Sequence, residues 1–222
     1  MERHSTCEAV VLENQRFGEM HKGVRLFSPE RGLLRATAFG AYSRKGSLRG
    51  VTDPFVWGKF YIYHDPVKHN VKITDVEVFN MFYGIREDIV RYYTASLWAE
   101  IILRSFGGGE ASRDLYAMFR ECLLLVVDAD EARTRLICTQ FMLRFLSITG
   151  SPVDPDAVTN TAMKRIVLAV ESTGVEEVLD MAAERADQLP DALPYLVRSV
   201  QRVLELELNT VKTAGGVLGL FA

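Results

Sequence analysis

The spacing of apolar and polar positions changes once along the chain, near residue 80. Before that point short stretches alternate. Residues 32–40 place Leu34, Ala36 and Ala38 on one face and Arg35, Thr37 and Phe39 on the other, the period-2 signature of a half-buried strand. Residues 55–63 behave likewise, with Val56, Phe60 and Ile62 opposite Phe55, Trp57, Lys59, Tyr61 and Tyr63. The run EAVVLE at 8–13 predicts a short buried strand, a turn containing Gly18 follows over 14–19, and residues 21–28 alternate as another strand. SPERG at 28–32 is turn chemistry, Asp53 and Pro54 open the fourth strand, and 64–70 is a polar turn around Pro66. Residues 70–80 predict a fifth strand whose alternation slips between Ile73 and Val76, as a bulge causes. These are five antiparallel strands with no helix long enough for a β-α-β unit. They predict a small closed barrel, and the OB-fold is the common barrel of this size that binds oligonucleotides.

Beyond residue 80 the period lengthens. Ile85, Ile89, Tyr93, Leu97 and Ile101 recur every four residues, predicting one helix over 85–106 that ends before the linker glycines Gly107, Gly108 and Gly109. A second helix is predicted over 114–127 and a third over 131–149. Leu136, Ile137, Phe141, Leu143, Phe145, Leu146 and Ile148 make the third apolar nearly all round, so it is expected at the buried centre of a helical domain. Gly150 stops it and a loop covers 151–156. Amphipathic helices follow over 162–170 and 175–189, and a last one over 193–208. The class is therefore α+β, with an N-terminal OB-fold barrel over 1–80 and an all-α helical domain over 81–222.

Charge sharpens the picture. The net charge is only −3, yet residues 1–80 carry 12 Lys/Arg against 9 Asp/Glu, and residues 15–50 carry 8 against 2. The remaining 14 basic and 20 acidic residues leave the helical domain at −6. No acid lies between Arg31 and Thr52. A polyanion would dock on the basic third of the first domain. Cations that track phosphates, beside rings that stack on splayed bases, suit a single-stranded nucleic acid. The candidates are Arg25, Arg35, Arg44, Lys45, Arg49 and Lys59 with Tyr42 and Trp57. The competing reading is that the rings pack against the rest of the protein and the cations form a solvated face.

Catalytic constellations are missing. His4, His21, His64 and His69 form no H-x-x-x-H pair, there is no G-x-S-x-G elbow, and no Lys-Ser/Thr follows the three glycines to make a P-loop. The acidic pairs Glu87/Asp88 and Asp128/Asp130 suit helix capping better than acid–base work. An enzyme is not expected. Cys7, Cys122 and Cys138 form neither a C-x-x-C pair nor a disulfide framework, which fits a reducing cytosol. No apolar run approaches the roughly 18 residues that span a bilayer, the N-terminus has no apolar signal region, and the apolar run at 214–222 is expected to be a docked tail.

With these residues laid out, the chain resembles the RecO family of bacterial recombination mediators. The matching runs are EAVVL at 8–12, GE at 18–19, LFS at 26–28, GLLR at 32–35, GA at 40–41, PF at 54–55, IRED at 85–88, AS at 95–96, and the helix from Phe141 to Gly150. Two departures stand out. Many members carry a four-cysteine zinc module after that helix, whereas residues 151–161 hold no cysteine, so no metal is expected. The family's Lys-Gly-Ala-Arg at the loop entrance is Phe39-Gly40-Ala41-Tyr42 here, with cations displaced to Arg44, Lys45 and Arg49. The resemblance implies binding of single- and double-stranded DNA and annealing of complementary strands. It also implies help, with RecR, in loading RecA onto strands coated by single-stranded-DNA-binding protein. It further implies capture of that coating protein's acidic C-terminal tail by the helical domain, with Arg133, Arg135, Phe141 and Arg144 as local candidates. Those four are equally readable as the ordinary core or surface of a buried helix. The rival class is a protein–protein adaptor of the repair machinery with little DNA affinity, favoured by the acidic helical domain.

Overall fold

A computed structural model describes residues 3–44, 46–66, 70–105, 110–170, 172–184 and 192–220. Five strands, β1 (His4–Phe17), β2 (His21–Ser28), β3 (Gly32–Ala38), β4 (Trp57–Asp65) and β5 (Asn70–Asn80), close a barrel in the order β1-β2-β3-β5-β4. Neighbours are antiparallel except β3 and β5, which run parallel through Thr37↔Lys72 and Ala38↔Ile73. This is an OB-like Greek-key barrel. Its interior is filled by the residues that alternation assigns inward: Ala9, Val11, Val24, Leu26, Ala36, Ala38, Phe60, Ile62 and Ile73. A one-turn helix, α1 (Leu48–Val51), plugs one end with Leu48.

Two differences from the sequence expectation and one agreement with it have local causes. First, β1 is 14 residues long because residues at both ends pair with neighbours, His4 with Tyr63 and Phe17 with His21. A bulge at Leu12 lets Val10, Val11 and Leu12 all be buried. Second, β4 begins at Trp57. Phe55 sits before it with φ 71°, donates its N–H to the Val11 carbonyl at 2.7 Å, and is 1 % exposed. Phe55 is therefore a core residue and does not share the outer face of Trp57. Third, the expected bulge in β5 is present, because the register jumps from Asp75↔Tyr61 to Ile73↔Ile62. Gly58 is required where β4 meets β5: a Cβ there would lie 2.5 Å from the Glu77 carbonyl oxygen.

Contacts divide the chain into one unit of Met1–Phe82 with Phe106–Tyr116 and another of Tyr83–Ser105 with Ala117–Ala222. Helical segments are α2 (Tyr83–Glu87), α3 (Ile89–Ser105), α4 (Glu110–Val126), α5 (Glu131–Ile148), α6 (Thr161–Val170), α7 (Val175–Ala183), α8 (Leu193–Leu204) and α9 (Asn209–Ala214). The single helix expected over 85–106 is broken at Asp88. Its carboxylate accepts the Arg91 N–H at 2.9 Å and starts α3 afresh. Asp130 caps α5 in the same way through the Arg133 N–H at 2.8 Å.

In the second unit α5 packs against α3, α6, α7 and α8, and Phe141 stacks on Trp98 of α3 with centroids 5.1 Å apart. Glu100 accepts the backbone N–H groups of Asn209 and Thr210 at 2.8 and 2.7 Å, holding the start of α9. Leu218 and Leu220 beyond α9 are buried, so the tail docks as expected. Gly107 to Gly109 and the end of the helix expected over 175–189 lie outside the described residues.

Candidate nucleic-acid interface

Alternation on β1, β2 and β3 sends a second set of side chains outward, and these line a groove of about 530 Å³. Glu13, Gln15 and Phe17 come from β1, Gly23 and Arg25 from β2, Arg35 and Thr37 from β3, and Asn70 and Val71 from β5. Arg25 and Arg35 are register partners, directly opposite each other across β2 and β3. Neither has an ion-pair partner among the described residues. Burial, followed by the Arg35 charge, holds the Arg25 guanidinium below its ordinary value, with Glu13 across β1 pulling the other way. Like charges in such a position repel. A groove that holds two of them together is set up for an anion.

Phe17 (56 % exposed) and Phe39 (40 % exposed) flank this groove as open rings. His21 lies between them, with centroids 6.5 Å from Phe17 and 4.8 Å from Phe39, and its Nδ1 accepts the Gly40 N–H at 2.9 Å. The Lys72 ammonium sits 5.5 Å from the Phe39 ring and 5.4 Å from the Tyr63 ring, while bonded to Asp65 at 2.9 Å. Rings open to solvent with cations among them are the ingredients of base stacking along a strand.

A second cationic centre forms around Tyr42. Its ring has the Arg16 guanidinium at 5.7 Å, the Lys22 ammonium at 5.4 Å and the Arg49 guanidinium at 6.0 Å. The Tyr42 N–H donates to the Met20 carbonyl at 3.0 Å, fastening the basic loop to the β1–β2 turn. Arg44 is exposed on that loop, and Lys45 lies outside the described residues.

The structure thus gathers Arg25 and Arg35 in the groove, and Tyr42 and Arg49 in the second centre. It sets Trp57 and Lys59 apart. The Trp57 indole donates to Glu8 at 3.0 Å and packs edge-on against Phe79 at 5.3 Å. Lys59 lies in register between Glu8 and Glu77, with its ammonium 5.6 Å from the Tyr61 ring. The acids on both sides offset its charge.

Residues 1–82 match the family model described as recombination protein O, N terminal, and residues 86–160 match recombination protein O, C terminal. The chain belongs to the RecO family. It is similar to the DNA repair protein RecO of Oceanobacillus iheyensis, 29% identical over 136 residues, covering 61% of this chain and 52% of that protein. It is 32% identical over 123 residues to the RecO of Synechocystis, covering 55% of this chain and 45% of the other. With the RecO of Desulforamulus reducens it shares 24% identity over 175 residues, 76% of this chain and 65% of that protein. The chain spans about half the length of the curated relatives it matches.

In this RecO-family chain three of the four helical candidates make contacts within the helical unit. Phe141 is fully buried, stacked between Trp98 and Phe145. Arg135 donates from Nη1 to the Leu218 carbonyl at 2.6 Å, tying down the tail. Arg144 donates to the Thr173 carbonyl, and burial lowers its pKa from the ordinary guanidinium value. Arg133 is half-buried in the first turn of α5. Among the described residues no group of three His, Cys, Asp or Glu side chains converges as a metal cage, and no helix is long and apolar enough to cross a membrane.

Sequence reasoning missed Arg16, Phe17, Lys22, His21 and Lys72. One signal was present: Lys22 occupies the inward phase of β2, in step with Val24 and Leu26. The others become visible only once the β1–β2 and β3–β5 pairings are known.

Proposed function

We propose that the barrel is the DNA-binding domain of a recombination mediator acting in DNA repair. It binds single- and double-stranded DNA without catalytic chemistry of its own. The observation that carries this reading is the opposed pair Arg25 and Arg35 within a groove flanked by open aromatic rings. A cationic face that neutralises phosphates also screens the repulsion between two strands, which supports annealing of complements. Membership of the RecO family supports the further roles: action with RecR, assistance to RecA on strands coated by single-stranded-DNA-binding protein, and residence in the bacterial cytoplasm with the nucleoid. Capture of the coating protein's tail belongs to the same proposal, using surfaces other than Phe141.

Fluorescence anisotropy of a labelled single strand, read against salt, tests the reading. With about four phosphates neutralised, log K falls against log[salt] with a slope of roughly −3. An absence of binding at low salt overturns it and favours an adaptor. The observation on the adaptor's side is apolar exposure at the start of the helical unit, with Tyr83 61 % and Ile89 60 % exposed.

A further inference from the structure

The Tyr42 centre has a construction that the groove lacks. Lys22 is 2 % exposed, although its side chain ends in a charge that is rarely buried unpaired. Its ammonium donates to the Asp53 carboxylate and to the Arg49 carbonyl, both at 2.5 Å. Asp53 also accepts from the Asn14 amide at 3.1 Å, and the same amide donates to the Thr52 carbonyl at 2.9 Å. The Thr52 hydroxyl in turn bonds the Leu48 carbonyl at 2.6 Å. The turn 48–53 is therefore pinned to β1 and β2 by a closed set of bonds with Lys22 at its middle. This turn carries Arg49, and the loop before it carries Tyr42.

The pinning brings two arginines from distant parts of the chain to one ring. Arg16 arrives on β1, with Nη2 anchored to the Glu19 carbonyl at 3.0 Å, and Arg49 arrives on α1. Asp53 is spent on Lys22, and neither arginine has an ion-pair partner among the described residues. A ring with two uncompensated guanidinium groups close by offers a base-stacking surface and a phosphate clamp together. Arg16 is the chain neighbour of Phe17, which lines the groove.

We propose that Arg16, Tyr42 and Arg49 form a subsite for one nucleotide of single-stranded DNA, and that Lys22 is its positioning residue. The subsite rests on the DNA-binding reading above. The phosphate lies between the two guanidinium groups, the base stacks on the Tyr42 ring, and Lys22 touches neither.

The test uses the full chain and two labelled probes of equal length, oligo(dT) and an abasic strand that keeps the phosphates and lacks the bases. Tyr42→Leu weakens oligo(dT) binding roughly tenfold and leaves abasic binding unchanged. Arg16→Ala weakens both probes and makes the salt slope shallower by about 0.7. Lys22→Met makes the slope shallower by about 0.7, as though Arg49 were lost, although the ammonium contacts no phosphate. Placed in an Arg16→Ala/Arg49→Ala background, it has no further effect on binding, an outcome that a merely structural lysine would not give. If Lys22→Met does not fold, Asp53→Ala, which removes the acceptor shared by Lys22 and Asn14, is read for the same slope change. Parental binding by Tyr42→Leu and Arg16→Ala, alongside weakened binding by an Arg35 variant, overturns the subsite and leaves the DNA-binding reading standing. Failure of the parent itself to bind removes that reading instead.

Discussion

Exchanging Arg35 for glutamine removes one of two cations that face each other across β2 and β3, and it moves stability and binding in opposite directions. In the fold, like charges directly opposite in a sheet cost on the order of 0.2–1 kcal/mol. Arg35 is exposed and solvent screens the pair, so the lower half of that range applies. For a chain of 222 residues, relief of about 0.4 kcal/mol raises the melting temperature by roughly 1 °C, and the gain fades in about 0.5 M salt as screening removes the repulsion. In binding, one lost phosphate contact makes the salt slope shallower by about 0.7, which is about eightfold weaker affinity at 50 mM salt and about threefold at 200 mM. Differential scanning fluorimetry and anisotropy on the same preparation read both quantities. A variant that melts lower and binds DNA as well as the parent refutes the reasoning, because Arg35 would then be a supporting side chain and the groove no anion receptor.

Two further outcomes concern the interior. Gln140 of α5 is 2 % exposed among Leu136, Met163, Ile166 and Val178, and neither amide atom has a hydrogen-bond partner among the described residues. Gln140→Leu is therefore expected to stabilise the helical unit by about 1–3 kcal/mol, seen as a higher denaturant midpoint; a lower midpoint contradicts it. The thiols of Cys7, Cys122 and Cys138 are all buried, and burial pushes Cys7 from 9.0 up to about 11, Cys138 up to about 12, and Cys122 up as well. Because the unfolded chain then releases thiol protons before the folded one, their contribution to stability is complete below pH 9 and falls as pH climbs from 9 towards 11. Native protein at pH 8 is expected to resist a thiol-specific reagent until denaturant is added, and rapid labelling of the folded chain contradicts that.

The barrel was legible where one face of a strand is buried and the other wet, since period-2 alternation then fixes both element and orientation. That held for Leu34, Ala36 and Ala38 on β3 and for Phe60 and Ile62 on β4, and the slip at Ile73 marked the β5 bulge. It failed at the ends of β1. There His4 and Phe17 are strand residues because of whom they pair with, which no local pattern encodes. Likewise Asp88 suited a cap, yet the four-residue apolar repeat ran through it as one helix until its carboxylate is seen to accept the Arg91 N–H and start a new one. In the proposed interface, the density of cations over 15–50 singled out the third of the barrel that carries Arg25, Arg35 and Arg49. Their grouping did not follow from density. Arg25 meets Arg35 only through the β2–β3 register, and Lys59 is offset by acids on the two neighbouring strands.

The helical candidates show the same limit in its sharpest form. An arginine on an amphipathic helix is read as a surface cation because its charge demands water or a partner. Backbone carbonyls satisfy that demand as well as any ligand does, and they carry no signature in composition. Arg135 finds the Leu218 carbonyl 83 residues away, and Arg144 finds that of Thr173. Both charges are thereby spent on closing the unit, while Phe141 between them is sealed against Trp98. Arg25 and Arg35 have no ion-pair partner among the described residues, although Glu13 faces Arg25 in register and offsets part of its charge. What each guanidinium is already bonded to is thus where the proposed interface differs from the frame of the helical unit, in a chain whose basic residues are spread over both units.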